Sequence, residues 1–494
     1  MTAAYLAVDL GSSSLRIMVG LLRPDAPDGP RMEVREAARF PNTPVPRAEG
    51  LGWDVPALFD GVLAGLRAGV AIAAQEGAEL RGIGVDAWGV DYARLTVDGT
   101  LRPFVRHHRA ADPDLAARTS AGRDLAADYA VTGVLDQAIN TAHQLRQDQS
   151  AGIGDPDDTI LLTADIVVHL LTGRVGAEPS LASTTALLDR ATGDWSAALA
   201  AGLPARLPPV VPTGSSAGPT TARVTAAIGA AHSVPIFAVT AHDTAAAFMA
   251  VTAADDEGTG VVSSGSWGVA GVALPALLRD DRARRDGFTQ EIGAGGDTLL
   301  VKNLSGMWLL QQTLREWAAA DGEAEPSLDM LTALLDAAAR SSYPGLFDPA
   351  DPALQAPDDL VARLVRACVE GGAEPPSTRA DLVRAIVDSL AVAYADTVAL
   401  AARRSGRTLE RIRIVGGGAR NALLCARTAA RSGLPVIAGP VEASVHGVLL
   451  QVALAAGDLP DAATARALPV DDGDGPPRVH HPAPTRSEPL HDLA

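Results

Sequence analysis

The chain opens on two short apolar stretches separated by glycine and serine. Tyr5–Leu10 and Leu15–Gly20 are rich in residues that favour strands, and Gly11-Ser12-Ser13-Ser14 lies between them. Two such stretches joined by a short glycine-containing segment predict a β-hairpin. We therefore expect two paired strands whose turn presents backbone N–H groups and three hydroxyls.

The rest of the first half alternates between helical and strand patterns. In Val55–Ala74 the apolar residues recur every three or four positions, which predicts a helix. The apolar run Gly82–Asp86 predicts a buried strand, and we expect Trp88–Val97 to pair with it. Helical patterns dominate 112–203, and a further strand is expected at Val234–Thr240.

The second half repeats the opening pattern. A strand-like stretch, Gly260–Ser264, leads through Ser264-Gly265-Ser266 into another apolar stretch, Val269–Leu274. Further strands, each followed by a glycine turn or a helix, are predicted at Ile412–Val415 and Val436–Ala438. This repetition indicates a duplicated α/β domain.

The length of the chain agrees with two domains, since 494 residues exceed what one hydrophobic core usually holds. We expect an N-terminal domain at 1–243 and a C-terminal domain at 244–465. The segment 466–494 is rich in Pro, Asp and His, so we expect it to be loosely ordered.

The composition narrows the class of protein. A hydrophobic fraction of 47% and a charged fraction of 20% are typical of a soluble globular protein. The net charge of −18 argues against a nucleic-acid partner. No apolar run approaches the roughly 18 residues that a membrane span needs, and Asp9 interrupts the first one. We therefore expect a cytoplasmic protein without a membrane partner, either a monomer or a homodimer.

Cysteine and histidine give no sign of a structural metal. The two cysteines, Cys368 and Cys425, are too few for a disulfide framework or a thiolate cluster. The pairs His107-His108 and His480-His481 have no cysteine or acidic residue at ligand spacing in the sequence. A structural zinc is therefore not expected.

Lysine usage excludes two common nucleotide-binding architectures. The only lysine is Lys302, in Val-Lys-Asn. A phosphate-binding P-loop needs Gly-Lys-Ser/Thr, and a protein kinase needs a lysine on a specific strand. If this protein binds ATP, it does so in another way.

The first candidate site is the predicted hairpin turn. Asp9, at a strand end, can hold a hydrated magnesium ion, and Arg16 can add positive charge beside a phosphate. Taken alone, however, the turn is better explained as a structural Gly/Ser hairpin, because short glycine motifs give many false matches.

The second candidate is Asp243, in Ala241-His242-Asp243-Thr244. A carboxylate at a strand end can act as general base for a sugar hydroxyl. Alternatively, Asp243 caps a helix that starts at Thr244.

Two further glycine turns, Ser263–Trp267 and Val415–Asn421, follow predicted strands. Each allows a backbone to approach a phosphate or an adenine closely, or is simply a tight turn. A helix is predicted over Asn303–Trp317, with Asn303 at its start and Gln311 on the flank of its apolar stripe.

The order of these motifs resembles that of the FGGY family of carbohydrate kinases, collinearly from about residue 5 to 460. The segments that carry the resemblance, beyond the hairpin turn and Ala241–Thr244, are Gly84–Tyr92, Ala182–Thr185, Ser263–Trp267, Val301–Asn303, Gly306–Gln311 and Val415–Gly418. Together with Ala438–Ser444 they look most like the L-rhamnulose kinases of that family.

The resemblance implies an α/β fold of two actin-like, ribonuclease-H-type domains with an active-site cleft between them. It implies phosphorylation of L-rhamnulose to its 1-phosphate, with ATP and Mg²⁺ as cofactors. The residues that it assigns are Asp243 as the catalytic base; Gly89, His242, Asp243, Thr244 and Asn303 at the sugar; Ser12, Ser13, Ser14, Arg16, Ser266, Gln311, Gly417 and Gly418 at ATP; and Asp9 at the metal, through water.

Some positions depart from the family pattern. Ser266 replaces a threonine and keeps the hydroxyl. The family's Tyr-Arg-Asp after Phe104 is here Val105–Arg109, and its Pro-Asp is Ala164-Asp165. Both changes lie in the half expected to shape the sugar pocket, so another ketose or deoxy sugar, such as L-fuculose, stays open as substrate. A non-catalytic sugar sensor on the same fold is the remaining alternative.

Overall fold

A computed structural model describes residues 2–252, 256–354, 358–473 and 475–482. These residues form two compact units, neither of which is continuous in sequence. Unit 1 comprises 1–256, 273–301 and 442–475, and unit 2 comprises 257–272, 302–441 and 476–494, both restricted to the described residues. The division at residue 243 expected from the sequence therefore falls inside unit 1, at the first residue of a helix.

The described strands are short to medium in length. They are β1 Ala3–Leu10, β2 Ser14–Arg23, β3 Arg31–Pro41, β4 Val45–Arg47, β5 Gly50–Gly52, β6 Glu79–Ala87, β7 Tyr92–Leu95, β8 Thr159–Leu162, β9 Leu188–Asp189, β10 Asp194–Trp195, β11 Ser216–Pro219, β12 Pro235–Phe237, β13 Thr259–Ser264, β14 Trp267–Leu274, β15 Thr289–Ile292, β16 Thr298–Ser305, β17 Arg411–Val415, β18 Val436–Ala438, β19 Val470–Asp471 and β20 Arg478–His480.

The helices range from one turn to more than seven. They are α1 Val55–Gln75, α2 Pro113–Ser120, α3 Leu125–Thr132, α4 Thr141–Ser150, α5 Thr163–Thr172, α6 Pro179–Ser183, α7 Ala197–Ala200, α8 Ala222–Ile228, α9 Asp243–Val251, α10 Asp281–Arg285, α11 Trp308–Ala320, α12 Leu328–Arg340, α13 Leu360–Glu370, α14 Arg379–Ser405, α15 Ala422–Ser432, α16 Ala443–Ala455 and α17 Ala462–Ala467.

Unit 1 is built on a seven-stranded sheet in the order β11-β12-β6-β1-β2-β3-β19. The predicted hairpin is confirmed, because β1 and β2 pair antiparallel from Ala3↔Leu22 to Leu10↔Leu15. Strand β6 pairs parallel with β1, which brings Asp86 directly opposite Asp9. The central strands are almost fully buried, as expected of a sheet covered by helices on both faces. The pairing of β1 with β6 therefore places Asp9 and Asp86 side by side, near the ends of two central strands.

The second sheet has the order β15-β16-β14-β13-β17-β18-β20. Strands β14 and β16 each run across the division between the units. Within unit 2, β13 pairs antiparallel with β14 and parallel with β17, and these strands pack on the long helix α14. The repeated hairpin predicted from the sequence is confirmed.

A segment late in the chain completes unit 1. Helix α16 lies against α9 so closely that a Cβ at Gly447 would fall 2.0 Å from the carbonyl oxygen of Ala246. Its apolar side chains join those of β1, β2 and β3 in one cluster. Gln451 adds a polar link, since its side chain exchanges hydrogen bonds with the backbone N–H and the hydroxyl of Thr240.

Some local predictions were wrong. Trp88–Val97 does not pair with β6, because its strand β7 pairs antiparallel with β8 instead. Asn303 is not at a helix start, since it lies in β16 and the helix begins at Trp308. In the segment 466–494, strand β19 pairs with β3 and β20 with β18, while 483–494 lies outside the described residues.

Among the residues that the structure describes, two helices, α1 and α14, are long and apolar enough to cross a membrane by length and composition alone. That is weak evidence, because core helices have the same properties. Most of the apolar window of α14 is buried in the protein.

Candidate functional site

The turn between β1 and β2 is held in shape by its own backbone and by one side chain. The Gly11 N–H donates to the Ser14 carbonyl at 3.0 Å. Asn42 donates from its side chain to the Gly11 carbonyl at 2.9 Å and from its backbone to the Ser13 carbonyl at 3.1 Å. The hydroxyls of Ser12, Ser13 and Ser14 bond to no other described residue. The turn is thus rigid, with its hydroxyls available to a ligand.

Arg16 lies next to this turn in a network of acidic groups. Its Nη2 is 2.6 Å from Asp9 Oδ2, and its Nη1 donates to Glu442. Ser444 donates to Asp9 Oδ2 at 3.3 Å. Burial raises the pKa of Asp9 to about 6, with Arg16 opposing this and Glu442 and Asp243 adding to it. The guanidinium expected to bind phosphate is therefore shared between two carboxyl groups.

Asp86 is a further carboxyl group at this position, and the sequence did not single it out. It is fully buried, and neither of its side-chain oxygens has a hydrogen-bond partner among the described residues. Burial and the charges of Asp9 and Asp243 raise the pKa of Asp86 well above its usual range. Such unpaired oxygens are costly unless a proton or a cation shares them.

Asp243 is the first residue of α9 and therefore does not occupy the N-cap position. The cap position belongs to His242, whose side chain makes no cap hydrogen bond. Oδ1 of Asp243 accepts from the N–H of Thr244 at 2.5 Å and from its hydroxyl at 3.1 Å. Oδ2 accepts from no other described residue, and the side chain is 36% exposed. Asp243 is therefore held at one oxygen and free at the other.

His242 is buried between two acidic residues. Its Nδ1 lies 3.0 Å from Oε2 of Glu291 on β15, and its Nε2 lies 3.6 Å from Oδ1 of Asp243. Burial lowers the pKa of His242, but the attraction of Glu291 outweighs it and raises the pKa to about 9. The imidazole is therefore positively charged at neutral pH. Sequence reasoning missed Glu291, because it lies 49 residues after His242 in an unremarked strand.

Gly89 occupies a crowded position after β6. A Cβ there would lie 2.9 Å from Oγ1 of Thr184, which also accepts from the Val90 N–H at 3.2 Å. A side chain at residue 89 would displace Thr184, so the glycine is required by close approach.

Next to Gly89, a buried carboxylate collects four donors. Oδ2 of Asp91 accepts from the indole N–H of Trp53 at 2.8 Å and of Trp88 at 2.9 Å, and it lies 3.0 Å from Nδ1 of His108. Gln144 donates to Oδ1 at 3.1 Å. Burial opposes the charge, yet His108, Trp53 and His107 together lower the pKa of Asp91.

The sequence therefore missed an acidic neighbour of the His107-His108 pair. Asp91, His107 and His108 lie close enough for one atom of each to bind a common cation. The hydrogen bonds favour a different role, since Asp91 is saturated and Nδ1 of His107 accepts from the Arg109 N–H at 2.9 Å. His107 also stacks on Trp53 with ring centres 4.4 Å apart. The group packs aromatic rings around one carboxylate.

In unit 2, the turn between β13 and β14 contains Ser266. The Gly265 N–H donates to the Trp267 carbonyl at 2.9 Å, which closes the turn. The turn also accepts from the start of α11, where the Met307 N–H donates to Gly265 at 2.9 Å and the Trp308 N–H to Ser266 at 3.2 Å. Ser266 is therefore fixed by its backbone rather than by its hydroxyl.

The three glycines after β17 differ in what surrounds them. A Cβ at Gly418 would lie 2.1 Å from Oγ of Ser264, and Gly416, at φ 79°, lies under the Ser264 backbone. A Cβ at Gly417 would meet nothing within 4 Å. The close approach of Ser264 explains why residues 416 and 418 are glycines. The position that a Cβ of Gly417 would occupy has no atom within 4 Å, so a ligand can approach there.

The remaining predicted residues of unit 2 are exposed. Asn303 lies on β16 and Gln311 in the first turn of α11, both with exposed side chains. The sequence predicted that Gln311 would lie beside the apolar stripe of the helix and would need a hydrogen-bond partner. Because its side chain is exposed, water can be that partner.

The chain matches family models and curated relatives over most of its length. Residues 50–250 match the N-terminal domain and residues 260–456 the C-terminal domain of the FGGY family of carbohydrate kinases. It is 30% identical over 473 residues to a rhamnulokinase of Bacteroides thetaiotaomicron, covering 94% of this chain and 93% of the relative. It is 32% identical over 474 residues to one of Yersinia pestis (strain Pestoides F), covering 94% and 92%.

Solved structures show the fold. A xylulose kinase from Rhodospirillum rubrum aligns with a TM-score of 0.72 at 21% identity, over 98% of this chain and 95% of that one. A glycerol kinase from Plasmodium falciparum with ADP aligns with a TM-score of 0.70 at 12% identity, over 97% and 94%. The fold is thus the two-domain, actin-like α/β fold of sugar kinases. The chain therefore belongs to the FGGY family of carbohydrate kinases and is a sugar kinase.

Proposed function

We propose that this protein transfers the γ-phosphoryl group of ATP to the 1-hydroxyl of L-rhamnulose, giving L-rhamnulose 1-phosphate and ADP. The bond from the sugar oxygen to the γ-phosphorus forms as the bond from that phosphorus to ADP breaks. The hydroxyl proton goes to Asp243. Phosphoryl transfer depends mainly on positioning and charge neutralisation, with a base to orient the nucleophile.

The geometry of Asp243 is the observation that carries this proposal. One oxygen is fixed by the N–H and the hydroxyl of Thr244, and the other is uncommitted and accessible. A general base must be oriented, ionised and within reach of the proton that it accepts. A residue serving only as a helix cap would instead point an oxygen at the second or third N–H of the helix.

The phosphate groups of ATP are assigned to the first hairpin turn. Ser12, Ser13 and Ser14 offer unbonded hydroxyls, and Arg16 offers its charge. Asp9 would hold Mg²⁺ through water, and the unpaired oxygens of Asp86 beside it fit a group that attracts a cation. When bound, the ion supplies charge neutralisation on the phosphates.

The other residues follow the resemblance to the family. In unit 2, Ser266, Gln311 and either Gly417 or Gly418 are proposed to bind the nucleotide; the open space above Gly417 favours Gly417. Gly89, His242 and Thr244 in unit 1, and Asn303 in unit 2, are proposed to bind the sugar.

The choice of L-rhamnulose rests on relatives rather than on a pocket. Both relatives described above bear the name rhamnulokinase and align over more than nine-tenths of this chain. Against this stands the departure at Val105–Arg109. Arg106 donates to Oδ1 of the buried Asp148 at 2.9 and 2.7 Å, and His107 and His108 pack with the Asp91 group. Substrate specificity is therefore the part to test first.

The test is an ADP-release assay, coupled to NADH oxidation, with L-rhamnulose, L-fuculose, D-xylulose, glycerol and L-rhamnose. Asp243→Asn prepared in parallel controls for contaminating kinases. The proposal expects kcat/KM to be highest for L-rhamnulose, by several orders of magnitude over glycerol, since a site that bonds a given hydroxyl pattern rejects analogues lacking it.

The other outcomes are equally informative. A higher kcat/KM for L-fuculose would move the substrate to that sugar and keep the chemistry. Sugar binding by calorimetry without ADP release from a folded protein would indicate a sensor and overturn the proposed reaction.

A further inference from the structure

Glu291 has no described partner apart from the ring of His242. Its Oε2 makes no hydrogen bond of regular geometry, and its side chain is 8% exposed. The 3.0 Å separation from Nδ1 of His242 is therefore an ion pair without full hydrogen-bond alignment. A buried carboxylate that is paired with a single group is strongly destabilising unless that group is charged.

The backbone of β15 is anchored so that Glu291 cannot easily move away. On one side, the Gln290 N–H donates to the Gly133 carbonyl at 2.7 Å, and Arg190 donates to the Gln290 carbonyl at 2.6 Å. On the other side, the Ile292 N–H donates to the hydroxyl of Ser183 at 3.0 Å. The position of the carboxylate is thus fixed by residues flanking it in the strand.

The charges around His242 all favour its protonated form. The carboxylates that face it are Glu291 from β15, Asp243 from α9 and Glu178, the cap of α6. Burial lowers the pKa of Arg190 and the charge of Glu291 opposes this, but the guanidinium donates its hydrogen bonds to Gln290 and Thr298. The described ion pair of Glu291 is with the imidazole of His242.

We propose that Glu291 is a positioning residue that keeps His242 protonated and directs its Nε2–H toward an acceptor oxygen of the sugar beside Asp243. This rests on the proposed function for the identity of the sugar and for its place beside His242 and Asp243. The arrangement parallels a carboxylate that orients a histidine and stabilises its cationic form in a catalytic triad. Its consequence is that His242 donates a hydrogen bond from Nε2 as long as the ring stays protonated.

The first test is the titration of His242 in the ligand-free protein, followed by NMR of ¹⁵N-labelled histidine rings and assigned with His242→Gln. The wild-type ring is expected to be cationic at pH 7. In Glu291→Gln it should titrate at or below the ordinary histidine value of about 6.5. Glu291→Asp, which keeps the charge, should hold the titration above 7, and the exposed Glu49→Gln should leave it unchanged.

The second test is sugar affinity by calorimetry, with L-rhamnulose or the best sugar of the assay, between pH 6 and 8.5. Wild type should change less than about twofold. Glu291→Gln should bind about tenfold more weakly at the upper pH than at the lower, as loss of a charged donor predicts. Thermal melts identify variants that misfold, in which case Glu291→Asp decides.

Two results would overturn the inference: a neutral wild-type ring at pH 7, or the same His242 titration in Glu291→Gln as in wild type. A flat affinity profile in Glu291→Gln would remove the role in sugar binding. Because the titration uses no sugar, a wrong substrate assignment leaves the first test intact, and the failures remain distinguishable.

Discussion

The two groups of candidate residues, one in each unit, are built on opposite principles. In unit 1 the side chains are charged and mostly buried. Asp9, Asp86, Glu442 and the half-buried Arg16 lie together, and His242 pairs with an acidic neighbour. In unit 2 the group consists of a serine turn and glycines, with the side chains Ser264 and Tyr394 bonded at 3.0 Å beneath it.

This difference shows that the candidate residues are held in place by charge pairs in unit 1 and by close backbone packing in unit 2. Charges in unit 1 hold one another in place, so removing one leaves a buried partner uncompensated. Unit 2 depends on the absence of side chains, so adding one atom is the damaging change. Substitutions in unit 1 should therefore alter chemistry and pH dependence, and those in unit 2 packing and nucleotide access.

The largest effect is expected from Asp243→Asn. The amide keeps the shape and the bonds from Thr244 but cannot accept a proton, so kcat should fall by about 10²–10⁴ while both ligands still bind. Steady-state kinetics with calorimetric binding measure this. Near-normal turnover in a folded variant would show that Asp243 is structural, since Asn can keep the hydrogen bonds from Thr244.

The second-largest effect is expected in the pH dependence of the stability of unit 1, to which the protonated His242 contributes. Its pKa of about 9 lies above the ordinary value, so its contribution is complete below about pH 6.5 and is lost as pH rises through 9. The loss amounts to at most about 3 kcal/mol. Urea unfolding from pH 6 to 10 should show a steeper decline for wild type than for Glu291→Gln. Parallel curves would contradict it.

A matched pair of glycines tests unit 2. Gly418→Ala places a Cβ 2.1 Å from Oγ of Ser264 and should cost about 1–3 kcal/mol of stability. Gly417→Ala meets no atom within 4 Å and should leave stability nearly unchanged while raising the KM for ATP severalfold. Thermal melts and ATP kinetics separate the two. An unchanged KM for ATP in a stable Gly417→Ala variant would mean that the open space is not a ligand site.

The smallest expected effect is that of Glu442→Gln. Glu442 shares Arg16 with Asp9, so its removal should free the guanidinium for phosphate and lower the KM for ATP by about threefold. The change should shrink at high salt. Glu325→Gln, on an exposed residue of unit 2, is the control. A higher KM would instead indicate that Glu442 orients Arg16.

The sequence predicted what is local. The hairpins, α1 and β18 are local patterns of period two or 3.6, and they lie where they were expected. Asp9 and Asp243 could be singled out because each is an acidic residue at the end of a predicted strand.

What the sequence did not reveal depends on long-range contacts. Glu291 reaches His242 through the contacts of β15 with residues distant in sequence, such as Gly133 and Ser183. Glu442 reaches Arg16 because α16 returns to unit 1. Asp91 contacts His108 in the folded chain, but no periodic pattern in the sequence indicates this contact. We predicted that Trp88–Val97 pairs with β6 because β6 directly precedes it in the sequence. Its strand β7 pairs instead with β8, which lies more than 60 residues later.

The return of α16 also affects the time at which unit 1 is completed during synthesis of the chain. Arg16 and Glu442 are 426 residues apart, and Asp9 and Ser444 are 435 apart. Domains generally fold as units while the ribosome elongates the chain at about 5–20 residues per second. Residues 3–23 therefore wait for tens of seconds before their last partners emerge. A nascent chain that stalls before α16 contains both glycine turns and Asp243 but lacks the helix that packs on α9 and on β1, β2 and β3. The apolar cluster of unit 1 is thus completed only after translation has passed α16.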